Sequence, residues 1–264
     1  MGKSKIEWCD SVWNPVTGCG DEIISHGCKN CYARRMAHRL AGRYGYHKNN
    51  PFQVTLRPER LDEPFKWKKP KRIFVCSMGD LFHSSVPQAF TLGVRDIMIR
   101  AENHIFLVLT KRINRAVEFW GDKKPIKNIW IGVTVCNQQE ADEKIPLLLQ
   151  IPAAVRWVSI EPCLSNIRLD PRWFSRIVHG YPPGYQKGID WVVLGGETGP
   201  GARPMKEEWA TSVVSQCKSA GVPVFAKQIH IDDLIGKKWK MRVSKNMDEW
   251  PSQLKVRELP NAKY

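Results

Sequence analysis

Three of the eight cysteines, Cys19, Cys28 and Cys31, fall within the stretch GCGDEIISHGCKNCYARRMA (18–37). Thiolates gathered on one loop suit a soft metal centre, and three of them leave one corner of a tetrahedral or cubane site to fill. For zinc, the fourth position stays open for catalysis or takes a ligand from elsewhere, with His26 and Cys9 nearest in sequence. For a [4Fe–4S] cluster, three cysteines leave one iron free to bind a small molecule. Spacing alone leaves both readings open. Cys76, Cys136, Cys163 and Cys217 are isolated and read as buried thiols, since free cysteine is among the most buried residue types.

The elements that must position those thiols are written in short, β-branched apolar runs. These are RIFVCSMGD (72–80), HIFLVLTKR (104–112), NIWIGVTV (128–135), VRWVSIEP (155–162), DWVVLGGETG (190–199) and PVFAKQI (223–229), after a first strand around SVWNPVTG (11–18). Helical patterns separate several of them, among them PQAFTLGVRDIMIRAE (87–102) and KEEWATSVVSQCKSAG (206–221), which stops on Gly221. Apolar strands alternating with helices predict βαβ units and a parallel sheet. Near-regular repetition predicts an α/β fold, a partial or complete (β/α) barrel, and no dinucleotide-binding glycine fingerprint follows the first strand. The barrel is expected to occupy residues 1–229, with a basic, irregular extension over 230–264 packed on it and an inserted loop at 163–189.

Polar residues stand at the C-terminal ends of these strands: Ser77 and Asp80, Thr110 and Lys111, Thr134 and Asn137, Ser159 and Glu161, Gly195 to Glu197, and Lys227 with Gln228. In a parallel barrel such ends meet at one mouth, where chemistry sits. The cysteine loop follows the first strand and belongs to the same mouth. Blander roles compete: GGETGPG also reads as a tight turn, since glycine permits φ > 0, and Glu161 as a strand-end carboxylate paired with a neighbour such as Arg156. His83, in DLFH, suits a structural hydrogen bond as well as a proton carrier.

Composition narrows the partners. Forty-one Lys and Arg against twenty-six Asp and Glu give a formal charge of +15, which favours a polyanion, nucleic acid above all. RRMAHRLAGRYGYHK (34–48), RPERLDEPFKWKKPKR (57–72) and KKWKMRVSK (237–245) mix cations, which neutralise phosphates, with aromatic rings that stack on unpaired bases. No apolar run is long enough to span a bilayer, and MGKSKIEWCD lacks the apolar core of a secretory signal, so the expectation is a cytoplasmic protein.

WNPVTGC, GCKNCYARRMA, SMGDLFH, LTKR, IGVTVCNQ, SIEP, GGETGPGARPM and AKQ, in order from about residue 6 to 229, resemble the phage Gp37/Gp68-type (DUF5131-like) proteins, a branch similar to the radical S-adenosylmethionine (SAM) superfamily. The resemblance implies a [4Fe–4S] cluster on Cys19, Cys28 and Cys31, with SAM chelated at the free iron. The spacing departs from the superfamily's usual C-x3-C-x2-C, being C-x8-C-x2-C, and Tyr32 follows the last cysteine where many members place an aromatic before it. Gly195, Gly196 and Glu197 resemble the superfamily's SAM-binding glycine motif but come late in the chain. Ser77 and Asp80 stand where that motif usually lies, so the resemblance makes them the amino-group ligands. Glu197 would then face substrate or ribose, and Glu161 a ribose hydroxyl. The activity implied is radical modification of a nucleic-acid base, most specifically isomerisation of a glycyl-thymidine adduct in phage DNA that evades host restriction. An electron donor such as a flavodoxin would be a partner, and the host cytoplasm the setting. The alternatives are a photoproduct-lyase-like repair enzyme, with Cys136 or Cys163 as hydrogen donor, and a non-enzymatic, zinc-stapled nucleic-acid-binding protein.

Overall fold

The structure is a computed structural model that describes residues 4, 6–121, 123–174, 188–235 and 238–261. The chain divides into two compact units. One comprises Met1–Ile24, Cys31–Gly132 and Ile151–Ala154; the other comprises Ser25–Asn30, Val133–Gln150 and Val155–Tyr264.

The first unit contains β1 (Ser11–Trp13), β2 (Val16–Thr17), α1 (Tyr32–Arg39), β3 (Thr55–Leu56), β4 (Arg72–Val75), α2 (Gln88–Arg100), β5 (Ile105–Thr110), α3 (Ile113–Trp120) and the start of β6 (Ile129–Thr134). β1, β4 and β5 run parallel, with Trp13 opposite Val75 and Val75 opposite Val108. Consecutive residues Ile73, Phe74 and Val75, like Phe106, Leu107 and Val108, are all buried, as expected of strands covered on both faces. Each such side chain withdrawn from water contributes roughly 1.5–3 kcal/mol. The expected first strand is broken into β1 and β2 at Asn14–Pro15, where proline has no N–H to give a ladder. β2 pairs instead with β3, antiparallel.

The second unit contains the end of β6, then α4 (Gln138–Leu148), β7 (Val155–Ile160), β8 (Trp191–Gly195), α5 (Glu207–Ser219), β9 (Val224–Ile235) and β10 (Lys238–Ser244). β7, β8 and β9 are parallel, with Trp157 opposite Trp191 and Val192 opposite Val224. α5 buries Ala210, Val213, Val214 and Cys217, one stripe at helical spacing, and ends before Gly221 at φ +65°. Hydrogen-bonded strand order is β1-β4-β5-β6 in the first unit and β6-β7-β8-β9-β10 in the second. The chain is therefore α/β with mostly parallel strands.

The described residues of 230–264 carry more order than the sequence suggests. PVFAKQI meets no glycine or proline stop, so β9 runs on to Ile235 and β10 returns against it, antiparallel. Val256 and Glu258 then bond to Ala226 and Val224, and Trp191 Nε1 donates to the Glu258 carbonyl at 3.0 Å. Of the expected loop at 163–189, residues 175–187 lie outside the described residues. Among those described, no helix is long and apolar enough to cross a membrane.

Candidate functional site

In the first unit the cysteine loop starts on a backbone cradle. Cys19 and Gly20 both donate their N–H to the Phe52 carbonyl, at 3.0 and 2.9 Å. Gly18 sits at φ +81°, and a Cβ there would stand 1.9 Å from the Gln53 carbonyl oxygen, so only glycine fits. Cys19 and Cys31 pack against one small cluster of Ala33, Ala37, Tyr46 and Phe52. Arg112, just beyond β5, donates to Cys19 Sγ at 3.2 Å and to Glu22 at 3.0 Å. Burial, with Asp80 adding to it, still pushes the Cys19 thiol up to about 11 against the pull of Arg112. A metal that binds Cys19 must therefore displace a proton.

Asp80 is buried and committed to its own unit. It accepts from Thr110 Oγ1 at 2.8 Å, from the Phe82 and Lys111 amides at 3.0 and 3.1 Å, and pairs with Arg112 at 3.5 Å. The polar ends of β4 and β5 thus meet, and their joint product is a fixed guanidinium on Cys19. Ser77 Oγ donates to Asn14 Oδ1 at 3.2 Å, and its carbonyl accepts from the Tyr32 hydroxyl. His83 Nδ1 accepts from the Ser85 amide at 3.0 Å, and burial holds its pKa below the ordinary value.

In the second unit two buried carboxylates grip the segment Ser25–Asn30, which carries Cys28. Glu140, on α4, accepts from Ser25 Oγ at 2.9 Å and from the His26 amide at 2.8 Å, and pairs with Lys144 at 2.9 Å. Desolvation opposes its ionisation, but Lys144 and these donors hold its pKa below the ordinary range. Glu197 accepts from Asn30 Nδ2 and from the Arg203 amide and Nε, each at 2.9 Å. Arg203 Nη2 reaches back to the His26 carbonyl at 2.9 Å. Glu197 thus orders the C-x2-C turn, from 167 residues away. Within the same motif, Gly199 and Gly201 have positive φ, so GGETGPG is also the turn its glycines suggest. Gly196 has a further reason: a Cβ there would meet His230 Nδ1 at 2.4 Å.

Desolvation works against the Glu197 carboxylate, yet the Arg203 and Asn30 bonds hold it at about 2, below its ordinary 4.5. A depressed carboxylate stabilises the fold fully above its ordinary pKa, and the contribution is lost as pH falls through the folded value. The stability gap between the wild type and Glu197→Gln, read from urea midpoints, should shrink by on the order of 3 kcal/mol between pH 5 and pH 2. A gap that stays constant with pH would refute the clamp.

The ends of β7 and β8 also meet Lys227 and Gln228, which lie inside β9 rather than at the strand end the sequence suggested. Glu161 Oε1 accepts from Lys227 Nζ at 2.5 Å and from Gln228 Nε2 at 2.7 Å. Gln228 Nε2 also donates to the Gly196 carbonyl at 2.8 Å. The partner of Glu161 is thus Lys227 rather than Arg156, whose amide bonds Asp190. Desolvation would raise the Glu161 pKa, but Lys227 and Gln228 hold it below the ordinary range. Two acceptors are left over: Glu161 Oε2 takes no hydrogen bond among the described residues, and Gln228 Oε1 is fully buried without a donor. Of the two, only Gln228 Oε1 is a buried acceptor without a donor, and buried acceptors ordinarily find one. Gly195 closes in on this pair, since its Cβ would stand 2.9 Å from Gln228 Nε2.

Among the described residues no three His, Cys, Asp or Glu side chains converge where one metal ion could be held. Cys19, Cys28 and Cys31 form no such group among the described residues. Of the two fourth-ligand candidates for zinc, Cys9 is buried beside Ser4, and His26 Nδ1 lies 3.2 Å from Glu140. Cys76 and Cys136 fall just past β4 and β6 rather than inside them, and Cys76 has φ +58°, which ends its strand. Arg112, Glu140, Arg203 and Asn30 escaped the sequence reading. Arg112 in LTKR, Arg203 in GGETGPGARPM and Asn30 in GCKNCYARRMA lay inside motifs that could have marked them, and Glu140 lay outside any.

A family model described as a protein of unknown function, DUF5131, matches residues 3–250. The chain belongs to the DUF5131 family. No curated protein and no solved structure matches it. DUF5131 membership covers both units and every residue of the cysteine loop, the Glu197 clamp and the Glu161 pair.

Proposed function

We propose that this DUF5131 chain is a radical SAM enzyme that modifies a nucleic-acid base, with Cys19, Cys28 and Cys31 as ligands of a [4Fe–4S] cluster. The observation that carries the reading furthest is the pair of unused acceptors, Glu161 Oε2 and Gln228 Oε1. They suit a ligand rich in hydroxyl and amino donors, as a ribose or an ammonium group is. A bonded path ties them to the cysteine segment: Gln228 to Gly196, the adjoining Glu197, Asn30, and so the turn before Cys31. The strand order, sequential within each unit, suits a partial (β/α) barrel.

The chain's own residues have definite tasks in this proposal. Arg112 sets a positive charge on Cys19 and favours its thiolate when metal enters. Glu140 and Glu197 fix the segment around Cys28, which reduces the reorganisation needed to load a cluster. Glu161 and Gln228 orient SAM through donors on its ribose or amino group. When bound, the cluster and SAM supply a 5′-deoxyadenosyl radical that abstracts hydrogen from substrate, with electrons from a donor such as a flavodoxin. The +15 charge holds the nucleic acid, and a base inside a duplex is extruded to reach the radical.

Isomerisation of a glycyl-thymidine adduct is the specific reaction we assign, on the resemblance of the motifs. Nucleosides from glycyl-thymidine-bearing DNA incubated with reconstituted protein, reductant and SAM should show an isomer of unchanged mass and altered retention. An unaltered nucleoside, alongside SAM cleavage, would move the assignment to another base.

A further inference from the structure

We infer that Tyr44 is a stacking platform for an unpaired base of a nucleic-acid strand, with Arg39 and Arg43 holding its phosphates. The inference rests on the nucleic-acid part of the proposed function and names the surface that part requires. Between Glu22 and Glu59 the chain has no acidic residue and seven Lys or Arg. Midway along that stretch Tyr44 is 76% exposed, the most exposed of the large hydrophobic side chains among the described residues. Its backbone is left-handed, φ +52°, a conformation that costs a tyrosine and suits glycine.

The loop holding it is built, not loose. Gly42 donates to the Tyr46 carbonyl at 2.9 Å, and Arg57 Nη2 donates to the Gly45 carbonyl at 2.7 Å. Arg57 also lies 5.5 Å from the Tyr46 ring centroid, and Arg60 donates to the Tyr44 carbonyl at 3.4 Å. Arg43 donates to the Arg39 carbonyl, which keeps the two exposed cations together. Among the other described aromatics of the basic stretches, Tyr46 is buried, Trp67 edges onto His104 at 5.9 Å, and Phe65, though exposed, lies under Arg100 at 5.2 Å. The Tyr44 ring meets neither an aromatic nor a cation among the described residues. A rigid loop that strains a tyrosine to keep its ring in water, among cations, has the parts of a single-strand binding surface.

Fluorescence anisotropy with a labelled thymidine oligonucleotide tests this on the 264-residue chain, without cluster or SAM. Tyr44→Gly should keep or raise the melting temperature, because glycine relieves the left-handed backbone, yet weaken binding about tenfold. Tyr44→Trp should bind at least as tightly as the wild type. Replacing Arg39 and Arg43 by Ala should lower the slope of log affinity against log salt by about 0.7 each. If Tyr44→Gly binds like the wild type, or sulfated polysaccharide competes equally for both proteins, the platform is refuted. SAM cleavage is measured in parallel, so loss of the platform and loss of the enzyme are read separately.

Discussion

Cys28→Ala, reconstituted with iron and sulfide under exclusion of oxygen, is expected to fall from about four irons per chain to about one or fewer, and to lose SAM cleavage with them. Cys28 closes a short 3-10 turn at Ser25–Cys28 and is only partly buried, so its loss should leave folding intact. The control is Cys217→Ala. Cys217 is wholly buried on α5, and burial pushes its thiol up to about 12. That variant should keep its iron and lose stability instead. Iron retained in Cys28→Ala would separate this cysteine from the centre. Equal iron loss in both variants would show only a weakened fold.

The second large effect is expected at Glu161. Glu161→Gln keeps the shape of the side chain and an oxygen for Gln228, but removes the charge that faces Lys227. SAM binding, followed by equilibrium dialysis on the reconstituted protein, should weaken about tenfold or more, as expected when a charged acceptor is lost. Glu161→Ala goes further. It strands the Lys227 ammonium, which is mostly buried, and should cost about 3 kcal/mol in urea unfolding. Unchanged SAM affinity in Glu161→Gln would remove Glu161 from the ligand set and leave it as a purely structural partner of Lys227.

Much of this was legible in the residues themselves. The strands announce themselves because both faces are buried, so Ile129–Thr134 reads as a nearly continuous apolar run, and Val155–Ile160 is buried throughout although Arg156 and Ser159 interrupt it. Polar residues at or near their ends were visible too, and within each unit the structure brings several together: Asp80 with Thr110, and Glu161 with Lys227 and Gln228, the last two inside β9 rather than at its end. What the sequence could not show is pairing at long range. Nothing in KNC marks Asn30 as the partner of Glu197, and that bond decides what GGE does in this fold. Glu140 was hidden in the same way. QQEADEK looks like a solvated helix face, yet Glu140 and Lys144 form a buried pair over the cysteine segment. The hairpin of β9 and β10 was missed because composition there suggested only a basic tail, whereas its backbone pairs antiparallel, with Ser244 opposite Ile229.

The central claim is that three thiols bind a cluster with a place left for SAM. Anaerobic reconstitution of the wild-type chain, with iron and sulfide counted and 5′-deoxyadenosine measured after addition of reductant and SAM, tests it most directly. The account predicts about four irons and four sulfides per chain and 5′-deoxyadenosine that appears only when SAM is present. A colourless protein holding one zinc and releasing no 5′-deoxyadenosine would contradict it.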